Sequence, residues 1–298
     1  MCLGSRLSDL GEFGFLAELA RRGLAEEIGD DTAVLPGGLV VTQDALVQDI
    51  HFRLGWTSWR DLGYKAAAVN VSDLAAAGAD PVALFVSLAV PPETEPENAF
   101  ELYEGMREAS VPVRGGDMSA GDRVYVSVTA IGYSERVPGR AGAKPGDVLV
   151  VTGPLGGSAA GLRALELGRE EPAELIRMHV RPPLRVEEGK RLAAAAHAVI
   201  DLSDGLVRDA GHIAERSGCR LELELEQLPL APGIEQVGDD PFWTMGEDYE
   251  LLAAVAPDDA GALGFPVVGR CVAGEGVSVR RAGRELELTG WDHFSRNA

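Results

Sequence analysis

The chain has 298 residues, enough for two α/β domains or one large one, and its 46% apolar and 25% charged residues are ordinary for a globular protein. Its 27 basic residues stand against 47 acidic ones, a formal charge of −20, which argues against nucleic acid as a partner because phosphate backbones need a basic footprint. Nucleotides remain open to it, provided a divalent cation stands between protein carboxylates and phosphates.

The first stretch, "MCLGSRLSDLGEFGFLAELARRG", has acids that break its apolar pattern and does not read as a signal peptide. Within it, Phe13, Leu16, Ala17 and Ala20 fall at helical spacing and predict an amphipathic helix over residues 9–23. "TAVLPGGLVVTQD" predicts two short strands around a Pro-Gly-Gly turn. "SWRDLGYKAAAVNVSDLAAAGADP" predicts a long alanine-rich helix with Ser58 as its N-cap and Gly78 as its stop. A buried strand "VALFVSLAV", a helix near 95–109 with an acidic start, and strands in "VPVRGGD" and "RVYVSVTAIGY" follow.

The Gly- and Pro-rich stretch at 138–147 then suggests a boundary between domains at 1–138 and 139–298. The second half opens with strand "VLVVTG", a glycine-rich turn and helix "SAAGLRALELG". Its later pieces are a strand–helix unit in "VIDLSDGLVRDAGHIA", a strand "YELLAAV" and two or three C-terminal strands. Strands and helices alternate in both halves, so the expected class is α/β or α+β with two domains. Cys2, Cys219 and Cys271 form no CxxC pair, which suggests a reducing, cytoplasmic compartment. No apolar run reaches the length of a membrane span.

The chain carries no GxxxxGK[ST] phosphate loop and no HRD or DFG tripeptide. "TGPLGGSAAG" could hold an anion at a helix start, though alone the signal is weak and the stretch reads first as ordinary turn chemistry. The carboxylates say more. Asp30 and Asp31, Asp44, Asp73, Asp117, Asp201 and Asp204, and Glu247 and Asp248 each lie beside an apolar segment. Singly these are caps and turn residues; together they suggest a shared site, and oxygen-only ligands point to Mg²⁺. His51 is as readily structural as functional, His212 reads as a solvated residue on the polar side of its helix, and His179 has no motif around it.

Taken in order, "GDDTAVL", "TQDALVQDIHF", "YKAAAVNVSDLAAAGADP", "RGGDMSAGD", "GRAGAKPGD", "VTGPLGGSAAGL", "IDLSDGL", "GEDYEL" and "GWDHF" resemble the thiamine-monophosphate kinases from about residue 12 to residue 294. The resemblance implies the two-domain fold shared with aminoimidazole ribonucleotide synthetase and selenophosphate synthetase, with N-terminal domains pairing into a homodimer around a shared β-barrel. It also implies transfer of a phosphoryl group from ATP to thiamine phosphate, assisted by several Mg²⁺ ions. By the family pattern, Asp31, Thr42, Gln43, Asp44, Asp73, Asp117, Asp201 and Asp204 correspond to metal positions, with Asp44 and Asp204 expected to be catalytic. Tyr103, Gly116, Asp117, Arg140 and Ser203 correspond to ATP contacts, and His51, Glu247 and Trp291 to the thiamine-phosphate side. Gln43 stands where the family usually has Ser or Thr, which leaves its backbone carbonyl for a metal, and Met118 replaces the usual Thr after "GGD". Within the same superfamily, a selenophosphate or aminoimidazole ribonucleotide synthetase, or a non-catalytic nucleotide-binding relative, is the alternative.

Overall fold

A computed structural model of the chain describes residue 7 and residues 10–26 and 28–286. After helix α1 (Gly11–Arg21), the first half builds a five-stranded sheet of order β1-β2-β5-β3-β4. Its strands are β1 (Ala33–Leu35), β2 (Leu39–Val47), β3 (Asp80–Val90), β4 (Val113–Ala120) and β5 (Tyr125–Tyr133). Helix α2 (Trp59–Ala76) precedes β3, and α3 (Pro96–Glu108) supplies the crossover that the parallel β3–β4 pair requires. Ser58 caps α2 as its sequence position suggests, its hydroxyl oxygen accepting the Asp61 N–H at 3.0 Å.

The alanines of α2 explain its place. The helix is buried nearly all round rather than along one stripe, with α3 and the first sheet against part of it and α6 against another. Small side chains let the neighbours approach: a Cβ on Gly63 would lie 1.8 Å from the Leu102 carbonyl oxygen of α3. Among the described residues, helices cover one face of this sheet. Strand β3, expected to be buried throughout, instead alternates, with Leu84, Val86 and Leu88 inside and Phe85 40% exposed. Val82, Met118, Tyr125 and Tyr133 are exposed as well.

The second half forms a seven-stranded sheet of order β12-β11-β8-β10-β6-β9-β7. These strands are β6 (Val148–Val151), β7 (Ala198–Asp201), β8 (Arg220–Glu224), β9 (Leu251–Val255), β10 (Val267–Val272), β11 (Gly276–Arg281) and β12 (Arg284–Leu286). Helices α4 (Gly157–Glu166), α5 (Ala173–Val180), α6 (Val186–Ala195), α7 (Leu206–Ser217) and α8 (Pro257–Leu263) surround it. Both faces of its centre are covered, so "VLVV" and "LLAAV" are continuous apolar runs rather than alternating ones. Ala75 and Ala76, at the end of α2, belong to this second core beside Leu192 and Val199, so α2 joins the two halves. Neither sheet closes into a barrel, and among the described residues no helix is long and apolar enough to cross a membrane.

Candidate active site

Three elements converge at the far end of α2. Asp31 arrives on the segment ahead of β1, Asp73 on the last turn of α2, and Asp201 on the final residue of β7. One carboxylate oxygen from each lies within 4.8 Å of the other two. Asp31 is ion-paired to the Arg140 guanidinium, which is itself largely buried. Asp73 Oδ2 accepts the Thr42 hydroxyl at 2.6 Å, and Asp201 Oδ2 accepts the Ser72 hydroxyl at 2.7 Å.

Burial pushes all three carboxyls up, and mutual repulsion adds to it. For Asp73 the charges of Asp44, Asp201 and Asp31 all act in that direction, and for Asp201 those of Asp31 and Asp44. The charge of Arg140 opposes the rise at Asp31 without cancelling it. Three desolvated carboxylates cannot all ionise at this separation unless positive charge joins them. An all-oxygen donor set of this kind suits a hard divalent cation, so these residues fit the Mg²⁺ that the sequence suggests.

Other acids reach the same place by field or by tethering. Asp44 follows Thr42 on the inner face of β2, and its backbone N–H donates to Asn70 Oδ1 of α2 at 2.9 Å. Asp204 begins the turn into α7, where its backbone N–H and that of Gly205 donate to Asp209 Oδ2 at 3.1 and 3.0 Å. Asp204, Asp209 and His212 also bring ligand atoms within 4.8 Å of one another. That group reads as a helix cap, because the Asp209 carboxylate holds two backbone N–H groups and Arg140, Arg208 and Arg216 all bear on the imidazole. His212, expected in solvent, is half-buried; burial and those arginines push its pKa down to about 4.

Not every expected residue comes to this point. The Gln43 side chain lies on the outer face of β2, bonded to Ser127 and Thr129 of β5, so only its backbone can face the aspartates. Asp44 pairs across to Val128, Val128 to Val86 and Val86 to Gly116, which puts Gly116 three strand spacings from Asp44, about 14 Å. Asp117, one residue on, therefore points to the outer face of the sheet. Gly116 fits its place only as glycine, because a Cβ there would lie 1.9 Å from the Val86 carbonyl oxygen. Tyr103 follows Leu102, which packs on Gly63, and so sits about 15 Å along α2 from Asp73.

On the other side, Glu247 extends from the loop before β9 and lies 3.1 Å from Lys65 Nζ and 3.3 Å from His179 Nδ1. Its backbone N–H donates to the Ser203 carbonyl at 2.8 Å, tying this loop to the Asp204 turn. His51 accepts the Val47 N–H on Nδ1 at 3.0 Å and lies near enough for its charge to bear on Glu247. Trp291 lies outside the described residues.

The family described as AIR synthase related protein, N-terminal domain, matches residues 29–134, and its C-terminal domain counterpart matches residues 144–280. The thiamine-monophosphate kinase of Aquifex aeolicus is 37% identical over 97% of this chain and 100% of its own length. That of Mycobacterium tuberculosis strain H37Rv is 39% identical over 97% and 93%. This chain belongs to the thiamine-monophosphate kinase family. A solved member described as AaThiL complexed with AMPPCP and TMP superposes with a TM-score of 0.90 at 37% identity, covering 98% of this chain and 99% of that one. The hydrogenase maturation protein HypE of E. coli, at 19% identity and a TM-score of 0.73, shares the fold.

Against the family's motifs, the residues that sequence reasoning passed over are the supporting ones: Asn70, Ser72, Asp209, Lys65 and His179. Ser72 and Asn70 stand in "VNVSD" beside Asp73, a polar pair inside an apolar helix and the one local signal available.

Proposed function

We propose that this chain transfers the terminal phosphoryl group of ATP to thiamine phosphate, giving ADP and thiamine diphosphate. The observation that carries this reading is the Asp31–Asp73–Asp201 trio, drawn together where the two halves of the chain meet and carrying more negative charge than Arg140 balances. The ligands named for the solved relative AaThiL, AMPPCP and TMP, support an ATP donor and a thiamine-phosphate acceptor.

Asp31, Asp73 and Asp201 would hold Mg²⁺ with Thr42, Asp44, Asp204 and the Gln43 carbonyl around them. When bound, Mg²⁺ supplies the positive charge that lets phosphates approach these carboxylates. That matters because two unit charges 4 Å apart interact by about 4 kcal/mol at an effective dielectric near 20. Arg140 and Ser203 serve the ATP side, and Asp44 and Asp204 flank the transferred group. The attacking atom is an anionic phosphate oxygen, so no general base is required, and catalysis is in-line positioning with charge compensation. Glu247, His51 and Trp291 serve the acceptor.

The domains at 1–138 and 139–298 would divide the work, with the second completing a site begun by the first. Pairing of two copies through the open face of the first sheet would cover Phe85 and Tyr125 and form the shared barrel. Asp117, Gly116 and Tyr103 lie too far from Asp73 to serve the same copy's site, and in such a homodimer they would serve the partner's. A cytoplasmic location suits the free cysteines. The test is direct: incubation with ATP, Mg²⁺ and thiamine phosphate should yield thiamine diphosphate, and free thiamine should fail as acceptor. Nucleotide binding without thiamine diphosphate formation would favour the non-catalytic alternative.

A further inference from the structure

A second buried polar chain lies away from the aspartate trio. Lys65, in the middle of the alanine-rich α2, is 3% exposed, and a lysine this deep is costly without a counter-charge. Among the described residues, Glu247 is the carboxylate within ion-pair distance of it, at 3.1 Å. The second Glu247 oxygen faces His179 Nδ1 at 3.3 Å, and the same nitrogen lies 3.1 Å from the Ser158 hydroxyl on α4.

Burial alone would push the Glu247 carboxyl up, but the charge and hydrogen bond of Lys65 outweigh it and hold it below the usual carboxylate range. His179 itself stays neutral, because burial and the Lys65 charge push its pKa down to about 3. The backbone is committed as well. Glu247 and Tyr249 both take left-handed φ angles, 68° and 50°, a conformation that costs non-glycine residues about 1–3 kcal/mol each. Their N–H groups donate to Ser203 and Leu202 at 2.8 and 3.0 Å, which locks the strained loop to the Asp204 turn.

The Glu247 side chain nevertheless remains 25% exposed. Beside it Phe52, Trp56, Leu62, Lys65 and His179 line a small recess, and the Arg53 guanidinium sits 4.2 Å from the centre of the Trp56 ring at its rim. A strained, doubly gripped carboxylate that keeps an open side, and whose two grips also line a recess with aromatic rings, is arranged for a ligand.

We propose that Lys65 and His179 are positioning residues for the acceptor: they grip Glu247 from two sides so that its carboxylate meets a hydrogen-bond donor or cationic edge of the acceptor's nitrogen heterocycle beside Phe52 and Trp56. This rests on the reaction proposed above and adds to it the residues that set acceptor recognition. The competing role for Lys65 is a plain staple between α2 and the Glu247 loop, which would change stability without choosing between substrates.

The experiment compares wild type, Lys65→Met, Glu247→Gln and the double variant Lys65→Met/Glu247→Gln. Lys65→Met should raise KM for thiamine phosphate by about tenfold or more, with KM for ATP within about twofold. In the double variant the Lys65 change should add nothing to the Glu247→Gln effect, since no carboxylate is left to grip. His179→Asn should follow Lys65→Met in direction. Equal rises in both KM values, an unchanged KM for thiamine phosphate, or effects that multiply in the double variant would overturn the proposal. Should Lys65→Met fail to fold, His179→Asn, which leaves the Lys65–Glu247 pair and so no unpaired buried charge, decides by the same split between the two KM values. Calorimetric titration with thiamine phosphate alone separates the two levels. Wild type that binds it but makes no product refutes the reaction, and loss of that binding in Lys65→Met still supports the grip.

Discussion

The neutrality of His179 leads to a pH dependence whose size follows from its surroundings. The ring is buried against Ser158, Glu247 and Lys65, and takes up a proton only near about 3 when folded, against 6.5 in the ordinary state. A histidine depressed in this way contributes stability that is complete above pH 6.5 and is lost as the pH falls towards 3. Between pH 7 and pH 4.5 the unfolded chain gains a proton that the folded chain refuses, and the difference integrates to about 2–3 kcal/mol. His179→Gln cannot titrate. It should destabilise the protein at pH 7 through lost packing and hydrogen bonding, and the gap to wild type should shrink by about 2–3 kcal/mol at pH 4.5. Urea unfolding at pH 7, 5.5 and 4.5 measures both proteins, and taking their difference removes the opposing titration of the buried aspartates. Parallel stability curves for the two would refute the buried neutral imidazole.

Asp44→Asn and Asp204→Asn should each abolish turnover at saturating Mg²⁺ while leaving the circular dichroism spectrum unchanged; near wild-type turnover by either removes it from the reacting centre. Ser72→Ala deletes the 2.7 Å hydrogen bond to Asp201, and the Mg²⁺ concentration for half-maximal activity should rise about tenfold with little change in Tm. Gly63→Ala places a Cβ 1.8 Å from the Leu102 carbonyl oxygen, so α3 must move away; thermal unfolding should show a loss of about 1–3 kcal/mol or more. If Asp117 serves the partner's site, randomly mixed dimers of Asp44→Asn and Asp117→Asn subunits should regain about a quarter of wild-type activity, whereas no recovery places Asp117 in its own copy's site.

Local chemistry made much of this fold readable. Ser58 before an apolar helix, Gly78 after it, and the "PGG" turn between two β-rich runs each dictate backbone geometry within a few residues. The acids at strand and helix edges were visible for the same reason, since a carboxylate beside a buried run needs an explanation wherever it lies. What the sequence could not give was which of them meet. Asp44 and Asp117 look alike on the page, yet the register from β2 through β5 and β3 to β4 sets them on opposite faces and three strands apart. Register is a property of paired strands, and no single strand encodes it. Lys65 was hidden differently. Alanine-rich helices usually present their lysines to water, and only burial of α2 on all sides turns this one into a charge that must find Glu247.

That burial also explains why one helix can serve both ends of the proposed reaction. Lys65 and Asp73 lie eight residues apart on α2, about 12 Å along its axis, one at the acceptor carboxylate and the other in the metal trio. Their partners Glu247 and Asp201 come from the second half of the chain, on a loop and a strand end that are themselves joined, since the Leu202 N–H donates to the Glu250 carbonyl and the Tyr249 N–H to the Leu202 carbonyl, at 2.8 and 3.0 Å. The two halves thus meet at both points, and the Asp61–Arg181 ion pair and the Tyr64 hydroxyl, which donates to the Pro182 carbonyl at 3.1 Å, join them further along α2. A single contact would let the halves pivot and change the distance between acceptor and phosphates. With both contacts made, pivoting breaks either the Lys65–Glu247 pair or the Ser72–Asp201 hydrogen bond. The alanines of α2 and Gly189 of α6, where a Cβ would lie 2.0 Å from the Ala75 carbonyl oxygen, are what allow this, because larger side chains would hold the second half too far away for either contact to form.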